Sequence, residues 1–155
     1  MGQVAEFMGQ DHDRLDGIFR EFQSTKKTDI QKAKSLFSEF KSGLQRHIGW
    51  EEKILFPIFE DANGLKEGGP TEDMRTEHRQ IGNYLETIFK AVSNGNANTD
   101  DLEFGLLDVL SQHNHKEENL LYPWIDETLS EKQAEETIFH LKNSANLACD
   151  CCKNL

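Results

Sequence analysis

The sequence predicts an all-α protein, an up-down-up-down four-helix bundle with a short extra C-terminal helix. Three observations carry that prediction. Apolar residues recur at intervals of three and four along four long stretches, which puts them on one face of a helix. β-Branched residues are sparse, and no run alternates apolar with polar as a half-buried strand would. Turn chemistry gathers in a few places, "STKKTD" at 24–29, "NGLKEGGPT" at 63–71, "SNGNANTD" at 93–100 and "LS" at 129–130.

The first helix is expected over roughly 5–24, with Met8, His12, Leu15, Phe19 and Phe22 on its inward stripe. The second runs from about 29 to 62 and aligns Leu36, Phe37, Phe40, Leu44, His47, Glu51, Leu55 and Ile58. Pro57 lies inside it and should kink or break it, and Asn63-Gly64 supplies a left-handed stop. The third starts near Thr71, just after the loop-like stretch that holds Pro70, with Met74, His78, Ile81, Leu85, Ile88 and Val92 inward. The fourth starts near Asp100 and aligns Leu102, Leu106, Val109, His113, Glu117, Leu120 and Trp124. The short fifth begins at Ser130, where Ser130 and Gln133 form a capping box.

At 155 residues the chain reads as one domain, a bundle over 1–142 followed by a tail over 143–155. The tail carries all three cysteines, Cys149, Cys151 and Cys152, an odd terminal cluster expected to be reduced thiols rather than a disulfide framework. A net charge of −11 repels phosphate backbones and anionic lipid heads, so nucleic acid and membrane-surface partners are not expected. No stretch approaches the ~20 apolar residues of a membrane span, and the N-terminus resembles neither a secretory signal nor, with Glu6 where Ser or Thr is required, a myristoylation site. A cytoplasmic location is the expectation.

One phrase is written twice, "HIGWEEKILFP" from His47 and "HNHKEENLLYP" from His113. His47 and His113, Glu51 and Glu117, and Pro57 and Pro123 are each 66 positions apart, and so are His12 and His78. Around His12 and His78 the chain reads acid, His, two variable residues, aliphatic. Each half is therefore a helical hairpin carrying one His and then one His-x-x-x-Glu. Residues four apart differ by about 40° on the helical wheel, so His47 and Glu51 point the same way, into the core, as do His113 and Glu117. Two buried carboxylates in one small core are costly without a cation, and a metal ion supplies one. The four helices thus aim His12, His47, Glu51, His78, His113 and Glu117 at one region.

Four nitrogens and two carboxylates exceed the needs of one tetrahedral zinc and suit two ions bridged by the carboxylates. Imidazole with carboxylate favours iron, with manganese, cobalt or zinc as substitutes. The wheel turns Glu52, Glu118 and His115 toward a helix flank or solvent, and His140 lies outside the repeat, so these four read as surface residues. Tyr122 reads as bundle packing.

The pattern His…His-x-x-x-Glu…His…His-x-x-x-Glu, with "EE..LFP" and "EE..LYP" tails, resembles the hemerythrin-like family, also called the HHE cation-binding domain, over about 8–135. That resemblance implies a four-helix bundle around two non-haem iron ions joined by an oxo or hydroxo bridge. It carries ligand roles onto the same six residues. Oxygen-carrying hemerythrins have His-x-x-x-His on the third helix and His-x-x-x-x-Asp on the fourth. Here Met74 precedes His78 by four, and Glu117 follows His113 by four. The departure points away from simple oxygen carriage, toward binding or sensing of O2 or NO. The alternatives are a di-iron enzyme acting on peroxide or NO, iron-centre repair or iron handling, and a metal-stabilised structural bundle. No separate acid–base pair, nucleophile or substrate pocket is legible for an enzyme.

Overall fold

The structure, a computed structural model, describes residues 2–65 and 69–144. The three cysteines lie outside the described residues. The chain is all-helical, with no strand among the described residues. Its helices are α1 (Gln3–Thr25), α2 (Ile30–Trp50), α3 (Phe56–Asn63), α4 (Pro70–Ser93), α5 (Asp100–Lys116), α6 (Tyr122–Thr128) and α7 (Glu131–Lys142). A single π-helical turn joins α2 to α3 over Glu51–Leu55, and another joins α5 to α6 over Glu117–Leu121.

Local chemistry sets the ends. The Asp29 side chain accepts from the Lys32 amide at 3.1 Å and caps α2. Gly64 takes the left-handed conformation (φ 65°) that stops α3, as Asn63-Gly64 predicts. Pro70 opens α4 rather than lying in the loop before it, since the first turn of a helix needs no amide from it. At α7 both arms of the capping box form, Gln133 N to Ser130 Oγ at 3.1 Å and Ser130 N to Gln133 Oε1 at 2.8 Å.

Pro57 does not end its helix. The π-turn before it widens the backbone spiral, and Pro57 falls in the first turn of α3, where its missing amide costs little. Pro123 repeats the arrangement in α6. Each π-turn also inserts one residue, so the inward stripe shifts beyond it. Phe59 is buried where Ile58 was expected, and Leu121, Tyr122 and Ile125 are buried while Leu120 (67% exposed) and Trp124 (40%) face out.

α1 packs on α2, α6 and α7; α4 packs on α5; and α2 packs on α4. Two apolar clusters result. One gathers Leu15, Phe19, Phe22, Phe37, Phe40, Ile81, Leu85 and Leu106. Its rings Phe19, Phe22, Phe37 and Phe40 sit with centroids 4.7–6.0 Å apart. Burying each ring contributes about 2 kcal/mol. The other cluster gathers Val4, Met8, Leu55, Phe56, Phe59, Met74, Leu121 and Tyr122. Along α1 and α4, His12 and His78 fall between residues of the two clusters.

A buried cation closes the α1–α2 turn. Lys26 is 3% exposed, and its Nζ donates to Thr99 Oγ1 (3.3 Å), Asp100 and Glu103. Gln23 adds a bond to Glu103 Oε1 at 3.1 Å, so the end of α1 is tied to the start of α5. Among the described residues, no helix is long and apolar enough to cross a membrane.

Candidate metal centre

The six residues predicted from the repeat converge in one buried layer. His12, His47, His78 and His113 are at most 4% exposed, and Glu51 and Glu117 are fully buried. The rings pair, His12 with His47 at 4.6 Å between centroids and His78 with His113 at 4.9 Å. Each carboxylate lies between the two pairs. Glu51 Oε1 is 3.1 Å from His78 Nε2, and Glu51 Oε2 is 3.9 Å from His47 Nε2. Glu117 Oε1 is 3.3 Å from His12 Nε2, and Glu117 Oε2 is 3.2 Å from His113 Nε2. Each carboxylate oxygen thus faces one imidazole nitrogen.

An ordered outer ring holds the imidazoles in that orientation. The Nδ1 atoms of His12, His47, His78 and His113 donate to Glu118, Asp11, Glu52 and Glu77, each at 2.8 Å. Fixing Nδ1 this way leaves every Nε2 aimed inward, where a cation can take the place of any proton it carries. The ring follows the repeat. Asp11 and Glu77 are 66 positions apart, as are Glu52 and Glu118. Glu52 and Glu118, expected to be surface residues, therefore contact the histidines, although the body of Glu118 stays exposed. His115 and His140 are exposed, as expected.

Tyr122 is a second correction. Its ring is buried, and its Oη donates to the carboxylates, 2.7 Å from Glu51 Oε2 and 2.9 Å from Glu117 Oε1. The same oxygen stands 3.2 Å from His47 Nε2 and 3.4 Å from His12 Nε2. The π-turn that displaces Leu120 and Trp124 outward swings Tyr122 in. Phe56, its counterpart 66 positions earlier, stacks on His78 at 5.8 Å with the planes 5° apart.

The layer is electrostatically strained without a cation. Glu51 Oε1, Glu117 Oε2 and His78 Nε2 are buried and make no hydrogen bond, the close approach of His78 to Glu51 being misaligned for one. Burial, and then the Glu117 charge, raise the Glu51 carboxyl above its usual range. Burial also opposes ionisation of Glu117, but His113, Glu51 and His12 outweigh it and hold that carboxyl well below its usual range. The two carboxyls thus behave as a pair with unequal hold on a proton. Burial and the two carboxylates keep the Tyr122 phenol protonated well above its ordinary range. Against the desolvation of the imidazoles, Glu117 and the outer-ring acids prevail, pushing His12 up to about 9 and His113 up to about 10.

These shifts have a sign for stability. Both histidines hold a proton more tightly folded than at their ordinary value of 6.5. Their contribution is complete below about pH 6.5 and is lost as pH rises through 9 and then 10. The metal-free protein is therefore expected to melt at a lower temperature at pH 9.5 than at pH 6.5, by an amount that reflects a few kcal/mol. A flat melting profile across that window by circular dichroism contradicts the charge arrangement.

The donor set matches what cations require. One group, Glu51, His78, His113 and Glu117, and another, His12, His47 and Glu117, each place their donor atoms within 4.8 Å of one another. With bonds of about 2.1 Å, ligands of one ion lie no more than about 4.2 Å apart, so each group needs only slight contraction. Glu117 belongs to both groups.

Comparison with known proteins agrees with this geometry. A family model described as Hemerythrin HHE cation binding domain matches residues 3–125. An iron-sulfur cluster repair protein YtfE of Dickeya chrysanthemi is 34% identical over 90 residues, 52% of this chain and 40% of that protein. Its counterpart in Yersinia pseudotuberculosis is also 34% identical, over 89 residues with the same coverage. A DNA nickase of Nostoc sp. is 28% identical over 133 residues, 86% of this chain and 36% of that protein. The chain thus spans about two fifths of the length of the relatives it matches. No solved structure matches it.

Proposed function

The chain belongs to the hemerythrin HHE cation-binding family, and from that premise we propose that His12, His47, Glu51, His78, His113 and Glu117 hold two iron ions, a pair that binds or senses a small diatomic ligand, O2 or NO. The observation that carries this reading is the facing of each carboxylate oxygen toward one imidazole nitrogen, which sets Glu51 and Glu117 as bridges between two histidine pairs. Imidazole and carboxylate suit iron, and manganese or zinc fit the same donors. The packing contacts support an up-down-up-down four-helix bundle over residues 1–142, built from α1, α2 with α3, α4, and α5 with α6.

When bound, the iron pair supplies redox chemistry and a coordination position open to a small ligand. The chain's own residues supply the rest. Asp11, Glu52, Glu77 and Glu118 orient the four imidazoles through Nδ1. The two apolar clusters exclude water from the layer. Met74, standing where an oxygen carrier has histidine, is buried in the apolar cluster with Phe56 and Tyr122 and supplies no nitrogen donor.

Anaerobic Fe(II) loading of the metal-free chain is expected to give about two irons per chain, with optical and Mössbauer spectra that change on exposure to O2 or NO. Uptake of one metal or fewer overturns the proposal. Asp11→Asn is expected to keep the fold and weaken iron binding by about 10–100-fold, as loss of an orienting carboxylate does. A competition titration against a chelator measures it, and unchanged affinity removes Asp11 from the centre.

The repair-protein relatives favour a second reading, delivery of iron to damaged iron–sulfur clusters. It predicts that the iron-loaded chain reactivates an enzyme whose [4Fe–4S] cluster NO has damaged, and that His47→Ala does not. The net charge of −11 supports a role without nucleic acid.

A further inference from the structure

We propose that Tyr122 is a seventh, symmetry-breaking ligand, its phenolate oxygen completing the donor set of the iron held by His12 and His47. The inference rests on the di-iron reading above. Its ground is an imbalance between the two donor groups. The His78–His113 side gathers two imidazoles and two carboxylates within 4.8 Å of one another, whereas the His12–His47 side gathers two imidazoles and Glu117 that closely, with Glu51 no nearer than 3.9 Å to His47 Nε2. The missing fourth donor is at hand. Tyr122 Oη lies 2.9 Å from Glu117 Oε1, 3.2 Å from His47 Nε2 and 3.4 Å from His12 Nε2. Ligands that are neighbours on one ion, with bonds of about 2.1 Å, stand roughly 3 Å apart. The phenol oxygen is thus spaced from all three as one more vertex of a coordination shell. An oxygen lodged at the centre of the shell would sit at bonding distance, about 2 Å, from each.

Among the described residues the other half has nothing equivalent. The repeat places Phe56 where the second half has Tyr122, and its ring, without a donor atom, stacks flat on His78. A chain that is nearly two-fold in its histidines, glutamates and outer carboxylates is therefore one-sided in this oxygen. With Tyr122 the two groups are equal in number, four donors each, and differ in kind, since only the His12–His47 side includes a phenol oxygen and the other side has the Phe56 ring. On binding, the phenol O–H bond breaks as the oxygen–iron bond forms, and the proton leaves to water; no electron moves in this step.

The chain has two tyrosines, Tyr84 and Tyr122, which makes the test clean. Metal-free protein is loaded with Fe(II), oxidised in air, and examined for iron content and by visible absorption and resonance Raman. The expected result is a phenolate-to-iron(III) band with tyrosinate ring modes, retained by Tyr84→Phe and lost by Tyr122→Phe. If Tyr122→Phe does not fold, retention of the band by Tyr84→Phe alone still assigns it, since Tyr122 is then the remaining phenol. About two irons per chain with no tyrosinate modes overturns the seventh ligand and leaves the di-iron reading standing. Failure to take up iron overturns both.

Discussion

Glu117→Ala is expected to strip the protein of nearly all its iron, from about two ions per chain toward zero, because Glu117 is the one carboxylate common to both donor groups. Glu51→Ala is expected to be milder. Glu51 reaches the His12–His47 side loosely, 3.9 Å from His47 Nε2, and its loss leaves His12, His47 and Glu117 together. Metal analysis of the two variants after identical loading separates them. Equal losses contradict the assignment of Glu117 as the tighter of the two bridges. The variants also differ when metal-free. Removing Glu117 deletes the largest attraction on the raised histidines, so the decline of stability above pH 6.5 should shrink in Glu117→Ala. The same protein thus reports its electrostatics without iron and its coordination with it.

The second large effect lies away from the histidine layer. Lys26→Met is expected to lower stability by about 2–3 kcal/mol, because it leaves Glu103, itself 2% exposed, without its cationic partner. The value sits at or below the range for a fully buried pair because Asp100, the other acid on Lys26, is largely exposed and stays hydrated. Chemical denaturation measures it. Iron content is expected to remain at the wild-type value, since the cluster joins the α1–α2 turn to the start of α5 and touches none of the histidines. A change below 0.5 kcal/mol places Lys26 among ordinary surface cations. Taken together, the two substitutions separate what holds the helices together from what equips them.

Much of this organisation was legible in the residues. The apolar stripes located the long helices, and the 66-residue repeat singled out the six side chains that converge. The parts that were not legible share a physical cause. Asp11 and Glu77 each precede an inward histidine by one residue, about 100° round the wheel, and so lie on the flank that meets the next helix. Their acid-then-His pattern was visible twice. Its purpose depends on which helix lies alongside, and that is tertiary information. Glu52 and Glu118, one residue past the inward glutamates, were hidden for the same reason.

Tyr122 was hidden differently. Five residues of α-helix place it about 140° from Glu117, off the inward face. In a π-turn five residues come close to a full circuit, and the same side chain returns to the core. A proline just beyond an uninterrupted inward stripe, Pro57 or Pro123, was the available signal for such a turn. Inside a regular helix a proline forces a kink or a break, and the π-turn is what lets the chain avoid both.

The pairing of helices has a further consequence. Asp11 with His47, and Glu77 with His113, are contacts within one helical hairpin, whereas His12 with Glu118, and His78 with Glu52, cross from one hairpin to the other. Both donor groups are likewise mixed, each drawing residues from the two halves. Each hairpin is in effect a tethered ligand for its twin, held at an effective concentration that the connecting segment sets. Affinity for the cation and affinity of one hairpin for the other are then a single quantity, so a chelator strong enough to empty the centre also loosens the embrace of the two halves.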